Sequence, residues 1–399
     1  MLNIVESDKR IYLDYAATTP LDSGVLKSML PYLNPKYGNP SSLHSNGRLA
    51  KSAIEDARLK ISRIINSLPE EIIFTGSGTE SDNLAIVGVA RAHKDRGNHI
   101  IISSIEHKAV LESAKSLQNE GFVVSILDVD NDGVIDIKEC MSLITRNTIL
   151  VSVMYANNEI GTVEPIKELA EEISKYRGIN TLPILHTDAC QATPYLPIDV
   201  KELKVDLMTI NSSKIYGPKG VGILYKKRNI EIEPLIMGGD QEMGIRAGTE
   251  NISLIVGMSE ALRRVENNKQ IESERLTKLR NYFISRLFEN IPDVILNGHS
   301  INRLPNNIHI SIPYVEGESM LLMLDHYGVS VSTGSACSSL NLKPSHVLLA
   351  LGQDQELIHG SIRFSLGKHT SKEEIDYVMS IFPNIVKRLK EISALTRKI

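Results

Sequence analysis

The chain has 399 residues, well beyond one domain of about 150, so two or three domains with a sizeable core fit and a small binding module does not. Lys and Arg number 44 against 48 Asp and Glu, a formal charge of -4 at pH 7 that gives no global field for nucleic acid or an anionic membrane. Hydrophobic residues at 42% and charged residues at 23% exclude disorder and a disulfide scaffold.

Met1 to Arg10 carries charges of both signs and no apolar signal core. No later stretch reaches the ~18 apolar residues of a membrane span, which reads as a cytoplasmic protein. From Glu71 to Tyr225, runs rich in Ile and Val predict strands at Glu71 to Phe74, His99 to Ser103, Val123 to Asp128, Thr148 to Met154, Leu182 to Thr187, Val205 to Ile210 and Val221 to Tyr225. Helix patterns at Ser81 to Ala92, Lys108 to Asn119 and Ile166 to Tyr176 lie between them, the rhythm of a mostly parallel sheet covered on both faces. Asn251 to Asn290 reads almost wholly helical, and the polar run Glu266 to Gln270 within it marks a domain boundary. Beyond it, strands at Asn307 to Ile312 and Ser361 to Leu366 with helices at Ser319 to Tyr327 and Lys372 to Ile392 predict a smaller α+β domain.

Phe74-Thr75-Gly76-Ser77-Gly78-Thr79-Glu80-Ser81 is a strand end, a turn with two glycines and a helix start. Such a turn lets backbone N–H groups and the helix dipole meet a phosphate, although a plain strand-to-helix junction looks the same. Lys214 follows a predicted strand end, behind Asn211, Ser212 and Ser213 and ahead of a Gly-Pro-Lys-Gly turn. Most lysines are solvated surface charges, but a buried one among hydrogen-bonding groups can form a Schiff base. Asp188 closes an apolar strand, where it either caps the next helix or faces a ligand at a sheet edge. Together, Lys214 and Asp188 are what pyridoxal 5'-phosphate requires: an amine for the aldehyde and a carboxylate for the pyridinium nitrogen.

Cysteines are three, Cys140, Cys190 and Cys337, without C-x-x-C spacing, which argues against disulfides and a thiolate zinc site. Cys337 lies among small polar residues from Val331 to Ser339, an exposed loop where a nucleophilic thiolate is at home, whereas Cys140 reads as a core cysteine on a helix. Asp128-Val129-Asp130-Asn131-Asp132-Gly133 with Glu139 matches a calcium loop locally, but a strand rather than a helix precedes it, so an acidic surface turn is expected. The histidines show no H-E-x-x-H spacing.

At these sites the chain resembles the pyridoxal-phosphate cysteine desulfurases of the class V aminotransferase group. The likeness runs from Tyr12-Leu13-Asp14-Tyr15-Ala16-Ala17-Thr18-Thr19-Pro20 and Gly38-Asn39-Pro40-Ser41-Ser42 through Thr79-Glu80-Ser81-Asp82-Asn83, Glu106-His107-Lys108-Ala109-Val110 and Asn157-Asn158-Glu159-Ile160-Gly161. It continues through Lys214-Ile215-Tyr216-Gly217-Pro218-Lys219-Gly220 and Gly334-Ser335-Ala336-Cys337 to Ser361-Ile362-Arg363-Phe364-Ser365-Leu366-Gly367. The resemblance implies the fold type I α/β architecture of pyridoxal-phosphate-dependent transferases. Its large cofactor-binding domain would span residues 15–262, and a small α+β domain of 1–14 plus 263–399 would carry a sulfur-acceptor loop at about 330–345.

It further implies Lys214 as the Schiff-base lysine, Asp188 at the pyridinium nitrogen, His107 stacked on the ring, and Asn158 and Gln191 at the ring's edge and phenolic oxygen. Gly78 and Thr79 would hold the phosphate, with Thr249 from a partner subunit of a homodimer. Arg363, with Asn39, would clamp the substrate carboxylate, a bidentate task that suits a guanidinium. Cys337 would accept sulfur from L-cysteine as a persulfide and pass it to an acceptor protein serving iron-sulfur clusters or tRNA thiolation. Two positions depart from the family: Ser213 stands where histidine is usual and Asn211 where serine is, leaving both to replace the usual grip on the phosphate. Selenocysteine lyase, another class V aminotransferase and a catalytically idle sulfur-relay or scaffold subunit remain open alternatives.

Overall fold

The structure, a computed structural model, describes residues 10–333 and 344–393. Its strands in chain order are β1 (Ile11–Tyr12), β2 (Ile72–Thr75), β3 (His99–Ser103), β4 (Val123–Leu127), β5 (Thr148–Ser152), β6 (Ile184–Asp188), β7 (Leu207–Asn211), β8 (Gly222–Lys226), β9 (Ile295–Leu296), β10 (Asn307–Ser311), β11 (Val329–Ser330) and β12 (Ser361–Ser365). The seven strands predicted between Glu71 and Tyr225 form one seven-stranded sheet of order β2-β8-β7-β6-β5-β3-β4. β3 pairs in parallel with β4 and β5, as β6 does with β5 and β7. β8 alone is reversed, antiparallel to both β2 and β7. β3, β5 and β6 are buried along their whole length, which is why the sequence shows continuous apolar runs there rather than alternation.

This strand order locates the binding crevice. After β3 the chain moves outward to β4, then returns to the other side of β3 with β5 and continues to β6 and β7. Ligands on such sheets collect at the carboxyl ends of strands beside that reversal. Because β8 is reversed, β2 runs with the parallel strands, and the turn after Thr75 opens on the same edge. There Ser77 caps a helical stretch, Gly78–Asn83, that continues through a wider π turn at Leu84–Gly88 into Val89–Ala92.

The helix Ile252–Asn290 runs unbroken for 39 residues, ~58 Å at a rise of 1.5 Å per residue, and packs on the helices Ser23–Leu33 and Ser45–Ile64. The boundary expected at Glu266 to Gln270 is therefore no linker. Its polarity belongs to a helix face on which Lys269 bonds Glu266 at 2.6 Å and the Leu196 carbonyl at 2.8 Å. Beyond it, β12, β10 and β9 form an antiparallel sheet covered by the helices Gly317–His326 and Lys372–Ile392. Phe364 meets Phe283 and Phe382 edge-on there, with ring centroids 5.0 and 5.5 Å apart. β1 pairs in parallel with β11, and a single apolar cluster joins both layers, from Phe74 and Ile210 to Ile362 and Phe382. No helix among the described residues is long and apolar enough to cross a membrane.

Candidate active site

A cavity of about 330 Å³ opens at the carboxyl ends of β3, β5, β6 and β7. Its wall brings together Gly78, Thr79, His107, Asn158, Asp188, Gln191, Asn211, Lys214 and Arg363, nine of the residues singled out above. Lys214 ends a single 3-10 turn, Ser212–Lys214, that follows β7 directly. Its Nζ donates to the carbonyls of Ala16 at 2.8 Å and Ala17 at 2.6 Å. Burial pushes the amine below the usual lysine range, a shift opposed by Asp188 and Asp14 and reinforced by Arg363.

Asp188 closes β6 with its Oδ1 accepting the Cys190 amide at 2.9 Å, and Gln191 Nε2 donates to the same Ala16 carbonyl that Lys214 uses, at 2.9 Å. His107 caps the helix Lys108–Gln118: its Nδ1 accepts the Ala109 amide at 3.1 Å, which leaves the ring proton of the neutral form on Nε2. Arg363, 2% exposed, donates to the Asn158 carbonyl at 2.8 Å and to Asp14 Oδ1 at 3.0 Å. Its buried Nε has no partner among the described residues.

Asn211 lies against the Gly78 turn: a Cβ built on Gly78 would stand 3.2 Å from the Asn211 Cβ and 3.0 Å from Cys190 Sγ. Only glycine leaves that approach open. Burial, then the carboxyls of Asp188 and Asp82, push the Cys190 thiol well above its ordinary range, which leaves it inert as a nucleophile. Cys140 is fully buried on the helix Ile137–Leu143, the core position expected of it.

Three expected residues stand apart from this cavity. Asn39 is exposed with its Oδ1 on the Ser41 amide at 2.9 Å, so within one chain it does not join Arg363. Thr249 is exposed and lines a separate hollow with Gly76 and Arg246. Ser213 contributes backbone, its N–H to Asn211 Oδ1 at 3.2 Å and its carbonyl to the Thr19 amide and hydroxyl at 2.9 Å each, and its side chain is absent from the wall. Cys337 and the loop around it lie outside the described residues.

The cavity also holds residues that the sequence reading gives no role. Asp82, Glu159 and His346 line it beside Cys190, and Glu106 is buried behind it, accepting the Met154 amide at 2.6 Å. Asp82 was findable, since it follows Gly78 by four residues and so shares its helix face. The acidic Asp128 to Gly133 segment is a tight turn in which Asp130 Oδ1 accepts the amides of Asp132 and Val134, each at 2.9 Å. Among the described residues no group of three or more His, Cys, Asp or Glu side chains is arranged to hold a metal ion.

The class-V aminotransferase family model matches residues 11–378, so the chain belongs to that family, and the large, mostly parallel sheet with its helices has the fold type I architecture. Within the family, a cysteine desulfurase IscS from Dictyoglomus turgidum is 51% identical over 385 residues, covering 96% of each chain. A cysteine desulfurase from Rattus norvegicus is 45% identical over 388 residues, 96% of this chain and 84% of its own. Among solved structures, a NifS-like protein superposes with a TM-score of 0.89 at 36% identity, over 96% of this chain and 100% of its own. A structure of SspA in complex with cysteine has a TM-score of 0.79 at 34% identity, over 90% and 99% of the two chains.

Proposed function

We propose that the chain is a cysteine desulfurase that binds pyridoxal 5'-phosphate in this cavity and converts L-cysteine to L-alanine, leaving the sulfur as a persulfide on Cys337. The observation that carries the reading is the convergence of the buried Lys214 amine and Asp188 at the ends of adjacent strands in one cavity.

The residues present fit the cofactor. Gly78 and Thr79 occupy the first turn of a helix, where backbone N–H groups have no intrahelical acceptor, and Asn211 and the Thr79 hydroxyl add donors for a phosphate. The bare Cα of Gly78 makes the cradle that a Cβ would fill. Asp188 suits a pyridinium nitrogen, and His107 supplies a flat ring on the cavity wall. When bound, pyridoxal phosphate supplies an aldehyde that condenses with amines and a ring that takes up negative charge from the substrate's α-carbon.

The chain's own groups do the rest. Lys214 attaches the cofactor and then accepts the α-proton at Nζ, a role that burial favours by raising its neutral fraction. Asp188 holds the proton on the ring nitrogen. His107 presents Nε2 for further proton transfers. Arg363 binds the substrate carboxylate, exchanging the Asp14 contact for it. The Cys337 thiolate attacks the substrate sulfur; an S–S bond forms, the substrate C–S bond breaks, and the carbon fragment leaves as alanine after protonation.

The reading includes a homodimer. Thr249 is exposed on its own chain, which suits a residue contributed to a partner's phosphate site, and Leu26, Leu30, Leu33, Leu43 and Leu49, on and beside the first two helices, are each exposed. Sulfur then passes from Cys337 to an acceptor protein. Incubation of the yellow, cofactor-loaded protein with L-cysteine, following alanine and persulfide together, tests the reading. Equal yields support it; protein that stays colourless at saturating pyridoxal phosphate, or forms no alanine, overturns it.

A further inference from the structure

Asp82 lines the cavity and has no part in the reaction above. Asp82 is 1% exposed, and its Oδ1 has no hydrogen-bond partner among the described residues. β6 faces it with Asp188 and with His186, whose Nε2 stands 3.7 Å from Asp82 Oδ1. β7 faces it with the Thr209 hydroxyl, the loop after β3 with the fully buried Glu106, and the turn after β6 with the Cys190 thiol. None of these is a cation. His186 is held neutral, its imidazole pushed down to about 4 by burial, with Nδ1 2.8 Å from Ser152 Oγ and Nε2 3.1 Å from Thr209 Oγ1. The charges that act on Asp82 are the carboxyls of Asp188 and Glu106, and they add to its burial in holding it well above the usual carboxylate range.

Asp188 is placed differently. Its Oδ1 accepts a backbone amide at 2.9 Å, and the Lys214 amine acts on it from across the cavity. Two carboxyls that share a buried pocket without a cation between them cannot both ionise; Asp82 has only the Thr209 hydroxyl pulling against its burial, whereas Asp188 has a backbone amide on Oδ1 and the Lys214 amine nearby, so Asp188 keeps the charge. We propose that Asp82 and Asp188 form a carboxyl pair carrying one proton, held by Asp82, so that Asp188 alone faces the cofactor's ring nitrogen as a carboxylate. Asp82 is then a positioning residue: neutral, it leaves the Asp188 charge undivided for the ring proton, and its ionisation at higher pH places a second negative charge behind the ring.

The consequence for the ring rests on the proposed function, but the shared proton is a property of the cofactor-free chain. The full-length protein, stripped of cofactor and labelled with ¹³C at its aspartate side-chain carboxyl carbons, is titrated by NMR from about pH 5 to about pH 9. One aspartate signal is expected to stay at the protonated position where exposed aspartates are ionised, and to vanish in Asp82→Asn. In Asp188→Asn the same signal is expected to titrate at lower pH, because the neighbouring charge is gone; this variant keeps the test decisive if Asp82→Asn does not fold. All aspartates ionised from the start of the titration, a persistent signal that survives Asp82→Asn, or one whose midpoint is unmoved by Asp188→Asn overturns the pair. A second readout is the cofactor's absorption spectrum against pH: Asp82→Asn removes a step present in the natural protein, which a merely structural role would not do. A persistent signal in protein that never turns yellow with pyridoxal phosphate supports the pair and counts against the cofactor reading.

Discussion

Gly222→Ala tests the phosphate cradle from behind. Gly222 begins β8 and pairs with Thr75 of β2 on one side and Asn211 of β7 on the other, so its own backbone is held at both edges. A Cβ there would stand 2.7 Å from the Ser77 carbonyl carbon, 2.9 Å from its oxygen and 3.1 Å from the Gly78 nitrogen. Carbon contacts relax at about 3.5–4.0 Å, so the turn has to retreat by roughly 0.8–1.3 Å. Overpacking of this kind costs ~1–3 kcal/mol of stability. The retreat displaces the Gly78 and Thr79 amides proposed to meet the phosphate, and losing one charge-assisted hydrogen bond of ~1.5–3 kcal/mol would weaken cofactor affinity by about 10- to 150-fold. The assay is titration of stripped protein with pyridoxal phosphate, followed by absorbance, beside thermal unfolding of the cofactor-free variant. Gly121→Ala is the control: φ is +89° with nothing within 4 Å of the added carbon, so it strains the backbone without touching the turn. Cofactor affinity in Gly222→Ala within about twofold of the natural protein, well under 1 kcal/mol, would refute the reasoning.

Lys214→Ala is expected to lose covalent cofactor attachment and essentially all alanine formation; peptide mass spectrometry after borohydride reduction, placing the pyridoxyl group on Lys219 in the natural protein, would contradict it. Cys337→Ala is expected to keep the yellow colour and make no persulfide, and undiminished persulfide under controlled thiol would move the nucleophile elsewhere. Glu159→Gln concerns pH. Burial raises the Glu159 carboxyl to about 7 against the pull of the Ser345 hydroxyl at 2.5 Å, Arg363, Lys108 and His107. A raised acid contributes stability that is complete below the unfolded value of 4.5 and lost as pH rises through about 7. The variant escapes that loss, so its melting temperature should gain on the natural protein across that window, by up to roughly 3 kcal/mol in stability. Parallel melting curves against pH would count against it.

The central sheet is legible because burial on both faces turns most of its strands into short β-branched apolar runs bounded by turn residues, while the edge strand β4, with Val123 and Ile126 exposed, is legible from its β-branched residues; the observed ends differ by a residue or two where a strand leaves the sheet. The two early helices were not legible, for a physical reason. In Ser23–Leu33 the buried face is Val25 and Met29 while Leu26, Leu30 and Leu33 are exposed, so apolar residues lie all round and no period stands out. In Ser45–Ile64 the buried face sets only Ile54 and Ile61 among small or polar residues, Gly47, Ala50, Ala53, Ala57, Arg58 and Ser62, against an exposed Leu49 and Leu59. The helix after β2 begins three residues earlier than its pattern suggests because Ser77 caps it and glycine carries no periodic signal. Lys214 and Asp188 were readable as a pair of strand ends. The positions of Asn39 and Thr249 were not, since neither meets the cavity of its own chain.

The lysine's surroundings explain why the first twenty residues bear on the chemistry. Lys214 Nζ and Gln191 Nε2 both point at the Ala16 carbonyl, while the Thr19 hydroxyl donates to the Ser213 carbonyl and accepts the Tyr216 amide at 2.8 Å. The segment from Ala16 to Thr19 therefore grips the lysine turn on both sides of Lys214, and Tyr216, at φ +60°, is the residue that bends to allow it. Carbonyl acceptors favour an ammonium, yet burial outweighs them and lowers the amine. The two effects set a parked state: a lysine fixed in place by carbonyls it must release, in a cavity that makes its neutral form accessible once it does. Arg363 is held in the same way, by the Asn158 carbonyl and by Asp14 from the N-terminal side, so both groups proposed to meet the substrate are tied to the N-terminal segment Asp14 to Ala17. Loosening that stretch should therefore disturb the lysine and the carboxylate clamp together, which substitutions within β6 or β7 would not do.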